Sequence, residues 1–189
     1  MDLTMYDDTY RAFCNLLNND HARVLDAACG PGNVSRYLMA QRPELNLLGI
    51  DLAPRMVELA RATVPSAQFR VHDCRRLADL NHRFDGIVCA FGFPYLSCME
   101  VTDFISSANK VLDSAGVLYL SCMEGKSEDS GYEFSSSGDR IYVNYHSEDH
   151  IRSALESHGF AIAEFTRLSS PSNAVKRTTD IVVIARKLQ

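Results

Sequence analysis

The sequence predicts an α/β fold: an open, doubly wound sheet of seven strands, mostly parallel, that ends in a C-terminal antiparallel hairpin. Three observations carry this. Residues 24–35, V-L-D-A-A-C-G-P-G-N-V-S, read as a strand, a tight glycine loop and the start of a helix. Three successive apolar runs each end in a carboxylate, at Asp26, Asp51 and Asp73, which sets three acids along one edge of a parallel sheet, where open α/β sheets bind ligands. The last two apolar runs, 161–168 and 180–186, are joined by a polar loop through Pro171 too short to hold a crossover helix, so they pair antiparallel.

Each element follows from its own residues. Within residues 1–20, Tyr6, Tyr10, Phe13 and Leu17 fall at helical spacing and Asp7 and Asp8 sit in the first turn, the pattern of an amphipathic helix lying on the sheet. Gly30 and Gly32 then flank Pro31. A backbone that turns sharply against a ligand has no room for Cβ, and the N–H groups at the following helix start face whatever binds there. Residues 34–41 continue as a helix that stops before Pro43. The run 47–50 ends in Asp51, Pro54 opens the next helix at its first position, and Pro65 closes it. Residues 67–72 lead to Asp73, and 74–83 read as one helical turn plus loop. The run 84–91 is a fourth strand, 101–113 a helix facing the sheet, and 116–122 a fifth buried strand.

Residues 125–146 break this rhythm. They open polar, then alternate with period two on either side of a Gly-containing turn at 135–139, which predicts a small hairpin outside the main sheet that covers the ligand edge. Ser147 caps a last helix, with Glu148 and Asp149 in its first turn and Gly159 at its end.

Composition bounds the function. A chain of 189 residues, 46% hydrophobic and 23% charged, is one domain's worth of ordinary globular sequence, and residues 1–189 are read as a single domain. A net charge of -5 and a pI near 5.6 argue against nucleic acid, which needs a basic face. The longest apolar stretch, 86–96, is short of the roughly 18 residues of a membrane span. The acidic N-terminus has no apolar signal run, and six cysteines without a C-x-x-C pair suit a reducing compartment, so the expected location is cytoplasmic. The histidines show no metal-ligand spacing and no metal is expected. Nothing in the sequence speaks to oligomeric state.

Taken together, the motifs resemble those of the class I S-adenosylmethionine-dependent methyltransferases, of the type acting on small molecules. Residues 24–32 are similar to that family's first motif, usually D-x-G-x-G-x-G or D-x-x-C-G-x-G. Residues 49–52 with Met56 are similar to the second, and Asp73-Cys74 and residues 84–88 to the next two. Two departures stand out: Ala28 replaces the frequent first glycine, and residues 113–116, D-S-A-G, replace the usual K-P-G-G turn.

The resemblance implies a Rossmann-like seven-stranded sheet and S-adenosylmethionine as cofactor. It also implies a methyl group moved to an O or N atom of a small molecule, without nucleic-acid or membrane partners. Gly30 and Gly32, with Ala28, would approach the ribose and methionine portions, and Asp51 would accept from the ribose hydroxyls beside Leu52 and Met56. Asp73 and Cys74 would meet the adenine, and Ala90 lies where the fourth strand reaches the cofactor. Asp26 would reach the methionine ammonium or fix the loop. Tyr10 would contact the amino-acid end or else belong to the core. Methyl transfer needs positioning and dryness more than a base. No catalytic residue announces itself; Tyr95, Tyr145 and His146 are the candidates to orient or deprotonate an acceptor. Two other classes share the glycine loop: an NAD-dependent oxidoreductase, which predicts neither Asp73 nor the antiparallel ending, and a non-catalytic cofactor-binding module.

Overall fold

Alternation of apolar residues along the central strands decides the layering. In a computed structural model, which describes residues 4–134, 138–170 and 178–189, the strands are β1 (Arg23–Ala27), β2 (Asn46–Asp51), β3 (Gln68–Val71), β4 (Phe84–Cys89), β5 (Leu112–Met123), β6 (Gly131–Phe134), β7 (Arg140–Val143), β8 (Phe160–Ser169) and β9 (Thr179–Lys187). The helices are α1 (Asp7–Leu16), α2 (Asn33–Gln41), α3 (Pro54–Thr63), α4 (Cys98–Val111) and α5 (Glu148–Ser157). Leu25, Leu48, Ile87, Leu118 and Val183 point to one face of the sheet, into a core closed by α4, α5 and the 3-10 turns of Cys74–Leu80. Val24, Leu47, Val88, Tyr119 and Val182, each one residue out of step, point to the other, under α1, α2 and α3. Both faces are therefore buried, as a parallel sheet requires.

The sheet has seven strands in the order β3-β2-β1-β4-β5-β9-β8. β1 to β5 run parallel, whereas β9 pairs antiparallel with both β5 and β8. The expected closing hairpin is present; its connection through Pro171 lies outside the described residues. The chain reverses its direction of strand addition between β1 and β4, and that switch point is where a doubly wound sheet opens a crevice at its carboxyl ends. β6 and β7 form a separate antiparallel ribbon, as their alternation predicts, with most of the turn expected at 135–139 outside the described residues. Among the described residues no helix is long and apolar enough to cross a membrane.

Two boundaries differ from the sequence reading, each for a local reason. α4 starts at Cys98 rather than Val101 because Ser97 and Glu100 form a capping box: the Ser97 hydroxyl accepts from the Glu100 N–H, and the Glu100 carboxylate accepts from the Ser97 N–H at 2.8 Å. β5 starts at Leu112 rather than Gly116. Asp113 is drawn out of the helix by Arg83 at 3.0 Å and by Arg23, and a register shift opposite Phe84 and Gly86 absorbs the extra length.

The tightest approach inside the sheet is at Gly49 on β2, which faces Phe69 on β3. A Cβ there would lie 2.4 Å from two carbons of the Phe69 ring. Gly49→Ala should therefore cost about 1 to 3 kcal/mol through overpacking, read as a Tm lowered by several degrees, and Phe69→Leu in the same chain should recover part of it. An unchanged Tm in the single variant would show that the ring has room to move.

Candidate active site

The loop after β1 is built on left-handed backbone. Ala28, Gly30 and Gly32 take φ of +59°, +52° and +85°. Gly32 is the N-cap of α2, and a Cβ on it would sit 3.1 Å from the Ala60 backbone of α3, while the space off Gly30 is open. Ala28 holds the same handedness with a Cβ, at a cost of roughly 1 to 2 kcal/mol. Phe91, just past β4, does the same at φ +60°. Of the left-handed non-glycine residues, Ala28 and Phe91 sit at the ends of the two strands that flank the switch point, while Asn81 and Ala115 lie in other turns.

Acids line it as the strand ends foretell. Asp51 accepts from the Gly30 N–H at 2.9 Å with one oxygen and from the Ala53 N–H at 2.9 Å with the other, so β2 holds the glycine loop and the entry to α3 together. A carboxylate has about four lone-pair directions, and these two bonds leave acceptor capacity facing the loop. Leu52 and Met56 stand beside it with their apolar side chains exposed, 62% and 37%. Asp26 is buried, and the Ser35 hydroxyl of α2 donates to it at 2.5 Å. Burial pushes its carboxyl up from the ordinary 3.8 to about 7 against the pull of that bond, with the nearby Asp51 charge adding to the rise.

Tyr10 of α1 is also in this group. Its ring lies in the core with Tyr37 and Tyr119, at 5.4 and 5.3 Å between centroids, yet its hydroxyl is buried without a hydrogen-bond partner. Burial, Tyr119 and then Asp26 push that hydroxyl well above the usual tyrosine range. An orphaned buried hydroxyl next to a buried acid is a place where a polar, cationic ligand group would be accommodated. An S-adenosylmethionine molecule carries such a group, and an open glycine loop, a ribose-facing carboxylate and exposed apolar side chains suit its other parts. The residues present fit the cofactor that the sequence motifs imply.

The third acid is engaged elsewhere. Both Asp73 oxygens are held by Arg75, through its N–H at 2.9 Å and its guanidinium at 2.6 to 3.0 Å, and that hydrogen bonding keeps the carboxyl below its ordinary range. Arg75 in turn donates to Glu100 at 2.8 Å, so β3 is tied to the start of α4. Cys74, next to it, is half-buried, and burial raises its thiol to about 11. Ala90 is buried at the end of β4, and its neighbour Phe91 donates its N–H to the Ser121 hydroxyl oxygen at 3.0 Å.

Past β4 the chain makes a 3-10 turn, Phe93–Tyr95. Tyr95 is exposed at the crevice end of the sheet, whereas Phe93, two residues before it, is fully buried against Phe104 and His146, with ring centroids 5.4 and 6.2 Å away. The stretch after β7 is fastened to this turn. Asn144 donates to the Pro94 carbonyl from its backbone N–H at 2.8 Å and from its side chain at 3.2 Å, and His146 Nε2 lies 3.0 Å from the Phe93 carbonyl. The His146 N–H also donates to Met123 at 3.0 Å, which draws the segment onto the end of β5.

His146 is thereby buried rather than presented at a helix start. Burial lowers its pKa from 6.5, the Phe93 carbonyl opposes this, His150 adds to it and the Leu96 carbonyl opposes it, so the ring is neutral near pH 7. Tyr145 is also covered: its ring lies against Gly125 and its hydroxyl donates to Glu133 at 3.0 Å. Beyond this, Glu124, Gly125, Lys126, Glu128, Asp129, Ser147 and Glu148 line a groove of about 370 Å³. Its carboxylates Glu124 and Glu148 are already bound by Arg167. One grouping was passed over in the sequence: the structure brings Cys98 beside His146 and His150, and the three-residue gap between the histidines was the available signal.

Comparison with known proteins places this fold. A family profile described as a methyltransferase domain matches residues 24–116, just under half of the chain, the part that holds the loop and all three acids. The demethylmenaquinone methyltransferase of Thermotoga maritima is 36% identical over 78 residues, which are 41% of this chain and 34% of that protein. The trans-aconitate 2-methyltransferase of Methylobacterium nodulans is 43% identical over 56 residues, 30% of this chain and 22% of the relative. The matched stretch thus spans about a third or less of these relatives' own length. Among solved structures, an S-adenosylmethionine-dependent methyltransferase from Methanosarcina mazei superposes with a TM-score of 0.77 at 19% identity, covering 92% of this chain and 96% of that one. The magnesium protoporphyrin IX methyltransferase of Synechocystis PCC 6803, solved with S-adenosylmethionine bound, gives 0.73 at 20% identity over 97% and 80%. Residues 24–116 thus match a methyltransferase-domain family, and the fold is one that S-adenosylmethionine-dependent methyltransferases share.

The state of Asp26 is open to measurement. Its folded-state pKa is above its unfolded value, so the stability this group contributes is complete below about pH 3.8 and is lost as pH rises through about 7. Asp26→Asn keeps an acceptor for Ser35 but cannot ionise. In urea unfolding without cofactor, the variant's stability relative to the parent should grow from about pH 4 to about pH 7 and then level. A difference that stays flat over that range would mean Asp26 ionises freely in the fold.

Proposed function

We propose that this chain binds S-adenosylmethionine in the crevice at the carboxyl ends of β1, β2 and β4 and moves its methyl group to an O or N atom of a small molecule held beneath the β6–β7 ribbon. One observation carries the reading: a loop of three left-handed residues, Ala28, Gly30 and Gly32, set between a buried acid, Asp26, and a loop-binding acid, Asp51. The antiparallel β9 supports it against a dinucleotide enzyme, whose sheet would continue in parallel.

When bound, the cofactor supplies an electrophilic methyl on a sulfonium, attacked in line by the acceptor's lone pair. In this reading Asp26 and Tyr10 hold the amino-acid end, and Ala28, Gly30, Gly32 and Ala90 give the backbone close approach. Asp51 takes the ribose hydroxyls between Leu52 and Met56, and Asp73 and Cys74 border the adenine. Tyr95 orients the acceptor at the mouth, where its exposed ring has nothing else to do. Tyr145 and His146 act as positioning residues, since the Tyr145 hydroxyl already braces β6 through Glu133 and the His146 ring meets the Phe93 carbonyl of the turn after β4. The ribbon excludes water, and a methyl transfer so arranged needs no dedicated base. The relatives named for a quinone, for aconitate and for a porphyrin are consistent with a small acceptor.

Isothermal titration with S-adenosylmethionine, its demethylated product and NAD tests the cofactor, and turnover against a panel of small acceptors tests the transfer. Both sulfur compounds should bind, and NAD far more weakly. Asp51→Ala should lose most of that affinity with the fold intact, because a charge-assisted bond contributes about 1.5 to 3 kcal/mol and one carboxylate serves two hydroxyls. Binding within twofold of the parent would remove the ribose assignment.

The cover has its own test. Replacing residues 132–142 with a short Gly-Ser link keeps the Asn144, Tyr145 and His146 anchors and should leave cofactor affinity nearly unchanged while abolishing turnover. Unchanged turnover would show the ribbon to be dispensable for catalysis, and lost cofactor affinity in a folded chain would place it in the cofactor site.

A further inference from the structure

Three side chains from three separate segments converge beside the crevice: Cys98, the first residue of α4; His146, after β7; and His150, in the first turn of α5. Their ligand atoms all lie within 4.8 Å of one another, and Cys98 Sγ is 3.8 Å from His146 Nδ1. We propose that they bind a single Zn²⁺ through Cys98 Sγ, His146 Nδ1 and His150 Nε2.

The orientation of His146 is that of a metal ligand. Its Nε2 lies 3.0 Å from the Phe93 carbonyl, an acceptor with no proton to give, so Nε2 carries the ring hydrogen and Nδ1 keeps a lone pair aimed at Cys98. A ligating imidazole is held in this way, its far nitrogen donating to a backbone carbonyl. His150 supplies an independent pointer. Its Nε2 is buried and has no hydrogen-bond partner, a state a buried ring nitrogen rarely keeps unless something is meant to bind it. Its ring is stacked on that of His146, with centroids 6.2 Å apart and planes 24° from parallel.

The donor set selects the ion. One thiolate and two imidazoles are the borderline ligands of Zn²⁺, whereas Ca²⁺ and Mg²⁺ want oxygen, and no carboxylate belongs to the group. Tetrahedral bonds of Zn²⁺ to sulfur and nitrogen set the donors roughly 3.3 to 3.6 Å apart, so the site closes by small side-chain rotations. Binding transfers the thiol proton of Cys98 to solvent and forms one Zn–S and two Zn–N bonds, with a fourth position left for water or another ligand. The ion would cross-link the turn that leaves β4, the anchor of the ribbon and α5. None of the three residues is assigned to the cofactor, so this site stands or falls apart from the cofactor's.

The test uses the full chain, free of any histidine tag and stripped with a chelator. Titrated with Zn²⁺, it should take up one equivalent, and its Tm should rise with free Zn²⁺ because only the folded state assembles the ligands. Co²⁺ in place of Zn²⁺ should give a thiolate charge-transfer band. Cys98→Ser should abolish that band, and Cys98→Ser and His150→Gln should each weaken Zn²⁺ binding by about tenfold or more. Neither side chain is fully buried, so these variants keep the test sound even where His146→Asn fails to fold. Failure to take up one equivalent, a cobalt band that survives Cys98→Ser, or variants that bind like the parent would overturn the proposal.

Discussion

The bond from the Gly30 N–H to the Asp51 carboxylate is the constraint on which the crevice depends. It joins the loop after β1 to the end of β2, and the Cys29 N–H adds a second tie to the Ile50 carbonyl at 2.9 Å. With its first turn held in this way, the loop must place Gly32 at a left-handed N-cap and start α2 directly against α3, where the Ala60 backbone leaves no space for a Cβ. The orphan N–H groups of α2 then face the crevice, together with a carboxylate that still has acceptor capacity. Sheet topology supplies the rest: β1 and β4 are paired neighbours, and the chain leaves β1 into α2 on one face and β4 towards α4 on the other.

Electrostatics follow from that geometry. Two acids enter one crevice with opposite environments. Asp51 is half-exposed and bonded to backbone donors, whereas Asp26 is buried, with the hydroxyl and backbone N–H of Ser35 bonded to it, and burial outweighs those bonds to raise its proton affinity. A cation arriving beside Asp26 would relieve the burial penalty that a lone carboxylate bears, and so would be favoured at neutral pH over a neutral ligand of the same shape. The partnerless Tyr10 hydroxyl adds a second polar group whose burial is uncompensated by the protein itself. Both groups destabilise the fold in isolation, which is the mark of a site shaped for its ligand rather than for stability.

The sheet was legible in the sequence because its signals are local and redundant. Apolar runs, the acids that end them, Gly30, Gly32, Pro54 and the short link before β9 each report on residues a few positions away. The capping box at Ser97 and Glu100 was equally local and was simply outweighed by the later apolar stripe at Phe104 and Ile105. What stayed hidden depends on partners distant in the chain. Asp73 looks like a free strand-end acid, but Arg75 clamps it and Glu100, 25 positions on, holds the clamp. Nothing in the sequence separates Phe93 from its exposed neighbour Tyr95, yet Phe104 and His146 offer Phe93 a core. His146 and Cys98 are 48 positions apart, and no periodicity links a residue after a ribbon to the first turn of a helix.

The ribbon stands outside the main sheet, and its construction explains how it keeps its place there. A two-stranded ribbon is marginal alone, so its position has to come from its ends. At the C-terminal end those ties are all to backbone: Asn144 to the Pro94 carbonyl, His146 to the Phe93 carbonyl and the Met123 carbonyl. Backbone ties fix where the ribbon sits without spending its side chains, and Tyr132, Phe134 and Tyr142 remain 63%, 78% and 47% exposed. Tyr132 meets Tyr142 edge to face at 5.2 Å and Arg140 lies 3.9 Å over the Tyr132 ring, so the outer part of the ribbon holds its own shape. An element anchored at one end, internally braced and rich in unburied rings keeps apolar surface available for a third party, and the turn it is anchored to carries Tyr95 at the crevice mouth.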